Sequence, residues 1–327
     1  MDPGPGGLME RIALGPVITD GAYFLELERR CLGSYASGVP DAVLRNPEGV
    51  LELHREYASA GSEVILAMGW GVQSTDVPEE KEHNRTAVKL AREAAGPERL
   101  VAGNISGSGV TRPGLETKWQ PLSEKERAQA QHFFARRVDQ QMEVGVDAFF
   151  LESYHSVETA SLAIPFIRDA GVSAVIMLVY EDSEYTVEGY SAAEAAKFLE
   201  DRGADVVGIN CMRSWNTMNH IIRDIRKAVS IPVISQPAGY QMEPGEVYCH
   251  SIHFPHTYPK FEPRHASRFD MAEYASEAQA VGVNIIGGCC GTLPYHIRAI
   301  AETLGRTVAV PDLDRGYAAP TRTPVDL

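Results

Sequence analysis

Short apolar runs, many rich in β-branched residues, recur along the chain at Val17 to Thr19, Glu63 to Met68, Leu100 to Ile105, Ala148 to Leu151, Ala174 to Val179, Val206 to Ile209, Ile231 to Ser235 and Val283 to Ile286. Runs of this length, bounded by turn residues, read as strands buried on both faces. Segments of helical periodicity separate them. Several open with a capping box, as at Ser123-x-x-Glu126 and Ser191-x-x-Glu194, where side chains satisfy the first free N–H groups of a helix. Many close on a glycine suited to the left-handed position after a helix: Gly61, Gly96, Gly145, Gly171, Gly203, Gly282 and Gly305. Eight β-then-α units in 327 residues predict an α/β fold, a (β/α)8 TIM barrel in one domain over 1–310. An irregular tail at 311–327, broken by Pro311, Pro320 and Pro324, follows it. The first strand-to-helix turn, Thr19-Asp20-Gly21-Ala22, lacks G-x-G-x-x-G, so an open dinucleotide-binding sheet loses its main support. Two connections, Ser106 to Leu122 and Pro237 to about Arg268, are long enough to be functional or interface-forming.

Composition narrows the function. No apolar run approaches the roughly 20 residues of a membrane span, and the start MDPGPGG lacks the basic and apolar parts of a secretory signal. A cytoplasmic protein is expected. A formal net charge of -14 repels phosphate backbones and anionic lipid, which excludes nucleic acid and membrane surfaces as natural partners and favours neutral or cationic small molecules.

In a barrel of this kind chemistry sits where strands end. The predicted strand ends place Asp20, Glu152, Asn210-Cys211, Gln236 and Gly287-Gly288-Cys289-Cys290-Gly291 around one mouth. Five cysteines are an odd number for a disulfide framework, so metal binding or catalysis is considered first; Cys31 and Cys249 read as small buried apolar residues. Cys211, Cys289 and Cys290 make a sensible Zn2+ site with one open position, because thiolate is soft and zinc accepts a tetrahedral set. Adjacent cysteines point to opposite faces of a regular strand, so both reach one ion only where the backbone turns, and Gly287, Gly288 and Gly291 permit a turn. Three negative ligands make the centre a poor Lewis acid for hydrolysis and a good one for binding a further thiol, whose sulfur stays nucleophilic. Alkyl transfer to that sulfur is the chemistry expected. Asp20 and Glu152 are placed to hold the amino group of an amino-acid thiol, although strand-end acids also cap helices. The string His250-x-x-His253-x-x-His256 reads as loop histidines rather than a second metal site. A zinc-dependent lyase or hydrolase, and a non-catalytic zinc or thiol sensor, stand as alternatives.

The chain resembles the zinc-dependent homocysteine S-methyltransferases, and most closely their betaine branch, over approximately Ile18 to Leu304. Gly208-Ile209-Asn210-Cys211 and Gly287-Gly288-Cys289-Cys290-Gly291 are similar to the segments that carry the family's three zinc-binding cysteines. Ser235-Gln236-Pro237, Phe261-Glu262-Pro263-Arg264 and Pro294-Tyr295-His296-Ile297-Arg298-Ala299-Ile300 are similar to the betaine branch as well. The resemblance implies a methyltransferase of methionine biosynthesis that uses zinc, homocysteine and a small cationic methyl donor. It assigns Asp20, Gly21 and Glu152 to homocysteine; Asn210, at the same mouth, is grouped with them.

Departures from the family gather in the donor pocket. The betaine branch has aromatic and threonine residues after strand 2, a tyrosine directly after the acid of strand 4 and a tryptophan after the first helix. This chain has Met68-Gly69-Trp70-Gly71, Ser153 with Tyr154 following, and only Tyr35 within Gly33 to Gly38. Trp70, Tyr154, Tyr35 and Gln236 are the expected donor-pocket residues. Fewer rings weaken cation-π attraction to trimethylammonium, which points to an onium donor other than glycine betaine. The chain stops soon after Val310, short of the extension that branch uses in assembly, so a homodimer or monomer is expected in place of a tetramer.

Overall fold

A computed structural model describes residues 6–33, 41–69, 78–107, 110, 120–249 and 261–308. Eight strands form one parallel sheet: β1 (Val17–Ile18), β2 (Val64–Leu66), β3 (Leu100–Ile105), β4 (Ala148–Tyr154), β5 (Ser173–Leu178), β6 (Val206–Asn210), β7 (Val233–Gln236) and β8 (Ile285–Ile286). Their order is β1-β8-β7-β6-β5-β4-β3-β2, so the sheet curls until its first two strands meet. At that seam the Glu63 amide donates to the Ile18 carbonyl at 2.7 Å, and the Ile18 amide donates to the Glu63 carboxylate at 2.9 Å. The Leu66 amide of β2 donates to the Asp20 carboxylate at 2.7 Å. The result is the nearly closed single-domain barrel that the alternating pattern predicts.

Strand interiors such as Val64-Ile65-Leu66, Phe149-Phe150-Leu151 and Val175-Ile176-Met177 are buried, as strands covered on both faces must be. After the strands in turn come helices Pro47–Ala60, Pro78–Ala95, Glu124–Met142, the pair Val157–Ser161 and Ile164–Asp169, Ala192–Asp201, Trp215–Ala228, Arg268–Val281 and Pro294–Thr303. Helix Trp215–Ala228 shows how they seat. Trp215, Met218, Ile221, Ile222 and Ile225 fall on one stripe and are buried, each apolar side chain contributing about 1.5–3 kcal/mol. Both predicted capping boxes form, with Ser123 and Ser191 accepting the amides of Glu126 and Glu194. All seven expected helix-closing glycines adopt positive φ, between 61° and 111°.

Helix Pro78–Ala95 departs from its polar appearance. Glu80, His83 and Asn84 are buried, and Glu80 pairs with Arg137, which is itself fully buried, and with Arg136 at 3.0 Å. Arg137 also donates to the Gly69 carbonyl at 2.7 Å, anchoring the backbone just beyond β2. Cys31 corrects another expectation: it is exposed, at the end of helix Phe24–Arg29 with φ 57°. Among the described residues no helix is long and apolar enough to cross a membrane. The expected irregular tail, 311–327, lies outside the described residues.

Candidate active site

The register that pairs Asn210 with Gln236 levels the ends of β6 and β7 at the barrel's C-terminal mouth. Directly beyond, Cys211 and Met212 turn into left-handed backbone, with φ of 61° and 54°. Non-glycine residues adopt that conformation at about 1–2 kcal/mol each. The turn is held by the Cys211 amide donating to the Gln236 carbonyl at 2.9 Å and by the Arg213 amide donating to the Cys211 carbonyl at 2.6 Å. It swings the Cys211 side chain over the mouth instead of along the strand.

The glycine-rich string after β8 works differently from the simple turn that the sequence suggests. Gly287 and Gly288 are needed for close approach: an added Cβ would lie 1.9 Å from Thr19 Oγ1 and 2.2 Å from Thr292 Oγ1, respectively. Gly291 alone of the three takes positive φ, 79°. The two cysteines between them are tied to the segment after β7, with the Cys289 amide donating to the Pro237 carbonyl at 2.9 Å and the Gly239 amide donating to the Cys290 carbonyl at 2.8 Å.

Three sulfurs converge as a result. Cys211 and Cys290 Sγ lie 3.4 Å apart, and all three thiol sulfurs lie within 4.8 Å of one another. A tetrahedral zinc with Zn–S bonds of about 2.3 Å places its sulfurs about 3.8 Å apart, so the triangle fits that ion. Hydrogen bonds from Cys289 and then Cys290 pull the Cys211 thiol well below its ordinary range. The same bonding to Cys211 pushes Cys289 and Cys290 well above it. Crowding opposes ionisation of all three thiols at once, an opposition that a divalent cation held among them would offset.

The triangle lies on the wall of a cavity of about 260 Å³, which also exposes Asp20, Gly21, Glu152, Asn210 and Gln236. That volume lies below the roughly 300–1,000 Å³ of drug-sized sites and suits small metabolites. Asp20 accepts from the Leu66 amide and from the Tyr23 hydroxyl. Burial outweighs these bonds and raises its carboxyl from 3.8 to about 7. Glu152 accepts from Asn104 Nδ2 at 2.7 Å. Asn210 Oδ1 accepts the Ser153 amide at 2.8 Å, and its Nδ2 lies 3.7 Å from Cys289 Sγ. Gln236 donates to Thr19 Oγ1 at 2.9 Å, and its buried Oε1 has no hydrogen-bond partner among the described residues.

Of the expected donor-pocket residues, the structure brings Gln236 to the cavity and takes Tyr154 away from it. The reason is a bulge in β4. Ser153 takes φ 61°, the register slips between Leu151 and Tyr154, and Ser153 lines the cavity beside Glu152. Tyr154 turns outward, where its hydroxyl donates to the Gly107 carbonyl at 2.6 Å and its ring packs near Phe134. Trp70, Tyr35 and the His250, His253 and His256 string lie outside the described residues. Residues that strand-end reasoning missed complete the wall: Tyr23, Phe24 and Leu25 after β1, Ser106 after β3, and Tyr240, Cys249 and Phe261 in the long connection after β7. Cys249 is buried as expected, but there, with its sulfur 3.6 Å from Met212 Sδ.

Residues 17–304 match the family described as homocysteine S-methyltransferase, nearly the span of the resemblance read from the motifs. Betaine–homocysteine S-methyltransferase 1 of Danio rerio is 31% identical over 316 residues, covering 91% of this chain and 75% of that protein. S-methylmethionine–homocysteine S-methyltransferase of Pongo abelii is 30% identical over 325 residues, covering 96% and 84%. Among solved structures, the apo form of the homocysteine methyltransferase MmuM from Escherichia coli superposes with a TM-score of 0.66 at 21% identity, over 91% of this chain and 98% of that one. Its metallated form gives 0.67 at 21% identity, over 88% and 96%. At that identity these two support the fold.

Proposed function

Because this chain belongs to the homocysteine S-methyltransferase family, we propose that Cys211, Cys289 and Cys290 hold one zinc ion and that the neighbouring cavity brings homocysteine together with a cationic methyl donor. As a methyltransferase of this family it leaves the lyase, hydrolase and sensor alternatives without support. The observation that carries the proposal is the convergence of three thiol sulfurs within 4.8 Å on the wall that also presents Asp20 and Glu152. When bound, zinc supplies a position where a substrate thiol loses its proton near neutral pH while three thiolate ligands keep its sulfur nucleophilic.

The protein's own residues do the positioning. Asp20 and Glu152 receive the homocysteine amino group, Gly21 lines the cavity beside them where Thr292 packs too close for a side chain, and Asn210 steadies the strand end between Ser153 and Cys289. In the transfer, the homocysteine sulfur forms a bond to the methyl carbon. The donor's C–N or C–S bond breaks, and its electron pair leaves with the donor heteroatom, which becomes neutral. Holding both reactants in line supplies much of the rate.

The donor we assign is a sulfonium compound such as S-methylmethionine, or a betaine other than glycine betaine. With Ser153 on the cavity wall and Tyr154 turned outward, the tyrosine expected to face a trimethylammonium group is withdrawn from the cavity. The test is methionine formation from homocysteine by zinc-replete protein, offered glycine betaine, other betaines, dimethylsulfonium compounds and S-methylmethionine in parallel. Turnover with a sulfonium or larger betaine and little with glycine betaine is expected; efficient turnover with glycine betaine overturns the donor assignment.

A further inference from the structure

Behind Asp20 runs a buried chain of hydrogen bonds that family membership does not explain. Tyr23, three residues on, donates its hydroxyl proton to Asp20 Oδ2. Helix Pro47–Ala60 brings His54 against the same tyrosine, with Nδ1 2.9 Å from the Tyr23 oxygen and ring centroids 4.9 Å apart in an edge-on arrangement. Asp20, Tyr23 and His54 are at most 2% exposed.

The direction of this chain follows from proton counting. The tyrosine has one hydroxyl proton, and it goes to Asp20; the contact with His54 therefore needs a proton from the imidazole. His54 carries it on Nδ1 and is left with a bare Nε2. That atom is buried and has no hydrogen-bond partner among the described residues, as a nitrogen with nothing to donate can be in an apolar setting. Burial also holds the imidazole neutral, its pKa lowered to about 3. The order is thus His54 N–H to Tyr23 O–H to the Asp20 carboxylate, each dipole strengthening the next.

We propose that Tyr23 and His54 are positioning residues that keep Asp20 an oriented carboxylate for the amino group of the amino-acid thiol. This rests on Asp20 receiving that group. The need is electrostatic: a carboxyl buried in this mouth favours its neutral form. The titratable groups around it are Tyr23 on its own segment, His54 and Tyr57 on helix Pro47–Ala60, Glu152 on β4 and Cys289 after β8. Burial keeps both tyrosines protonated well above their ordinary range. Burial opposes the charge on Asp20, and the hydrogen bonds donated by the Leu66 amide and the Tyr23 hydroxyl are what favour its ionisation.

The experiment is calorimetric titration of zinc-replete protein with L-homocysteine from pH 5.5 to 8.5, comparing wild type, Tyr23→Phe, His54→Phe and Asp20→Asn. Thiol deprotonation contributes equally to all and cancels in the comparison. Tyr23→Phe keeps the ring and removes the donor, so the midpoint below which affinity falls should rise by about one to two pH units, the size of a lost hydrogen bond to a charged group. Affinity at pH 7 should weaken by roughly tenfold or more. His54→Phe should shift the midpoint the same way by less. Zinc content and melting temperature identify folded variants, and a packing role alone would not move the midpoint. If Asp20→Asn weakens binding while Tyr23→Phe leaves midpoint and affinity at wild-type values, the positioning role is overturned; if Asp20→Asn changes nothing, the amino-group reading falls first.

Discussion

Replacing Glu152 with glutamine tests the amino-acid site without changing its volume. Asn104 donates from Nδ2 to the Glu152 carboxylate at 2.7 Å while its Oδ1 accepts from Ser106 at 3.2 Å, an arrangement the new amide preserves by offering Asn104 its oxygen. The NH2 group of that amide then lies toward the ligand's ammonium. A charge-assisted attraction then becomes a meeting of two donors. Hydrogen bonds to charged groups contribute about 1.5–3 kcal/mol, which at about 1.4 kcal/mol per decade is a roughly 10- to 100-fold loss in homocysteine affinity. The sulfur triangle does not include Glu152, so zinc content should be unchanged. The assay is calorimetric titration with homocysteine and with 4-mercaptobutyrate, which keeps the thiol and carboxylate but has no amino group. Only the first should weaken. Equal weakening of both thiols, homocysteine affinity within twofold of wild type, or loss of zinc would each refute the role assigned to Glu152.

Other consequences are as definite. Cys289→Ala should remove zinc and methyl transfer together, read by elemental analysis and methionine formation; activity persisting without metal would end the zinc proposal. Arg137→Met leaves the buried Glu80 with Arg136 as its remaining basic partner in the pair network, and should destabilise the fold toward the lower end of the about 3–5 kcal/mol typical of broken buried pairs, measured by urea unfolding. Asp20 is an acid whose pKa is raised in the folded state, from 3.8 to about 7. Its contribution to the stability of the ligand-free protein is therefore fully present below about pH 4, declines up to about pH 7 and is level above. Asp20→Asn should flatten that decline in chemical unfolding curves, and an unchanged pH profile would contradict the assignment.

The barrel was legible because each of its signals is local: a buried run, a capping box, a glycine that ends a helix. The strand-end rule then gathered three cysteines scattered over some 80 positions. What stayed hidden depends on backbone conformation and neighbours. Tyr154 reads as a cavity residue until a left-handed serine breaks the strand's alternation, which no periodicity announces. Gly287 and Gly288 read as turn formers, but they are small because Thr19 and Thr292 pass so close. The opening of helix Pro78–Ala95, Glu79-Glu80-Lys81-Glu82-His83-Asn84, looks solvated because its buried partner, Arg137, lies on the next helix. The chain from His54 to Asp20 needs a helix register and a tautomer, neither of which is written in residue order.

Counting the sulfur atoms around zinc tests the central proposal most directly. X-ray absorption at the zinc edge should give three sulfur ligands in the substrate-free protein and four after homocysteine is added, with Zn–S distances of about 2.3 Å. A count that stays unchanged on adding homocysteine, or a first shell that lacks the three cysteine sulfurs, would contradict it.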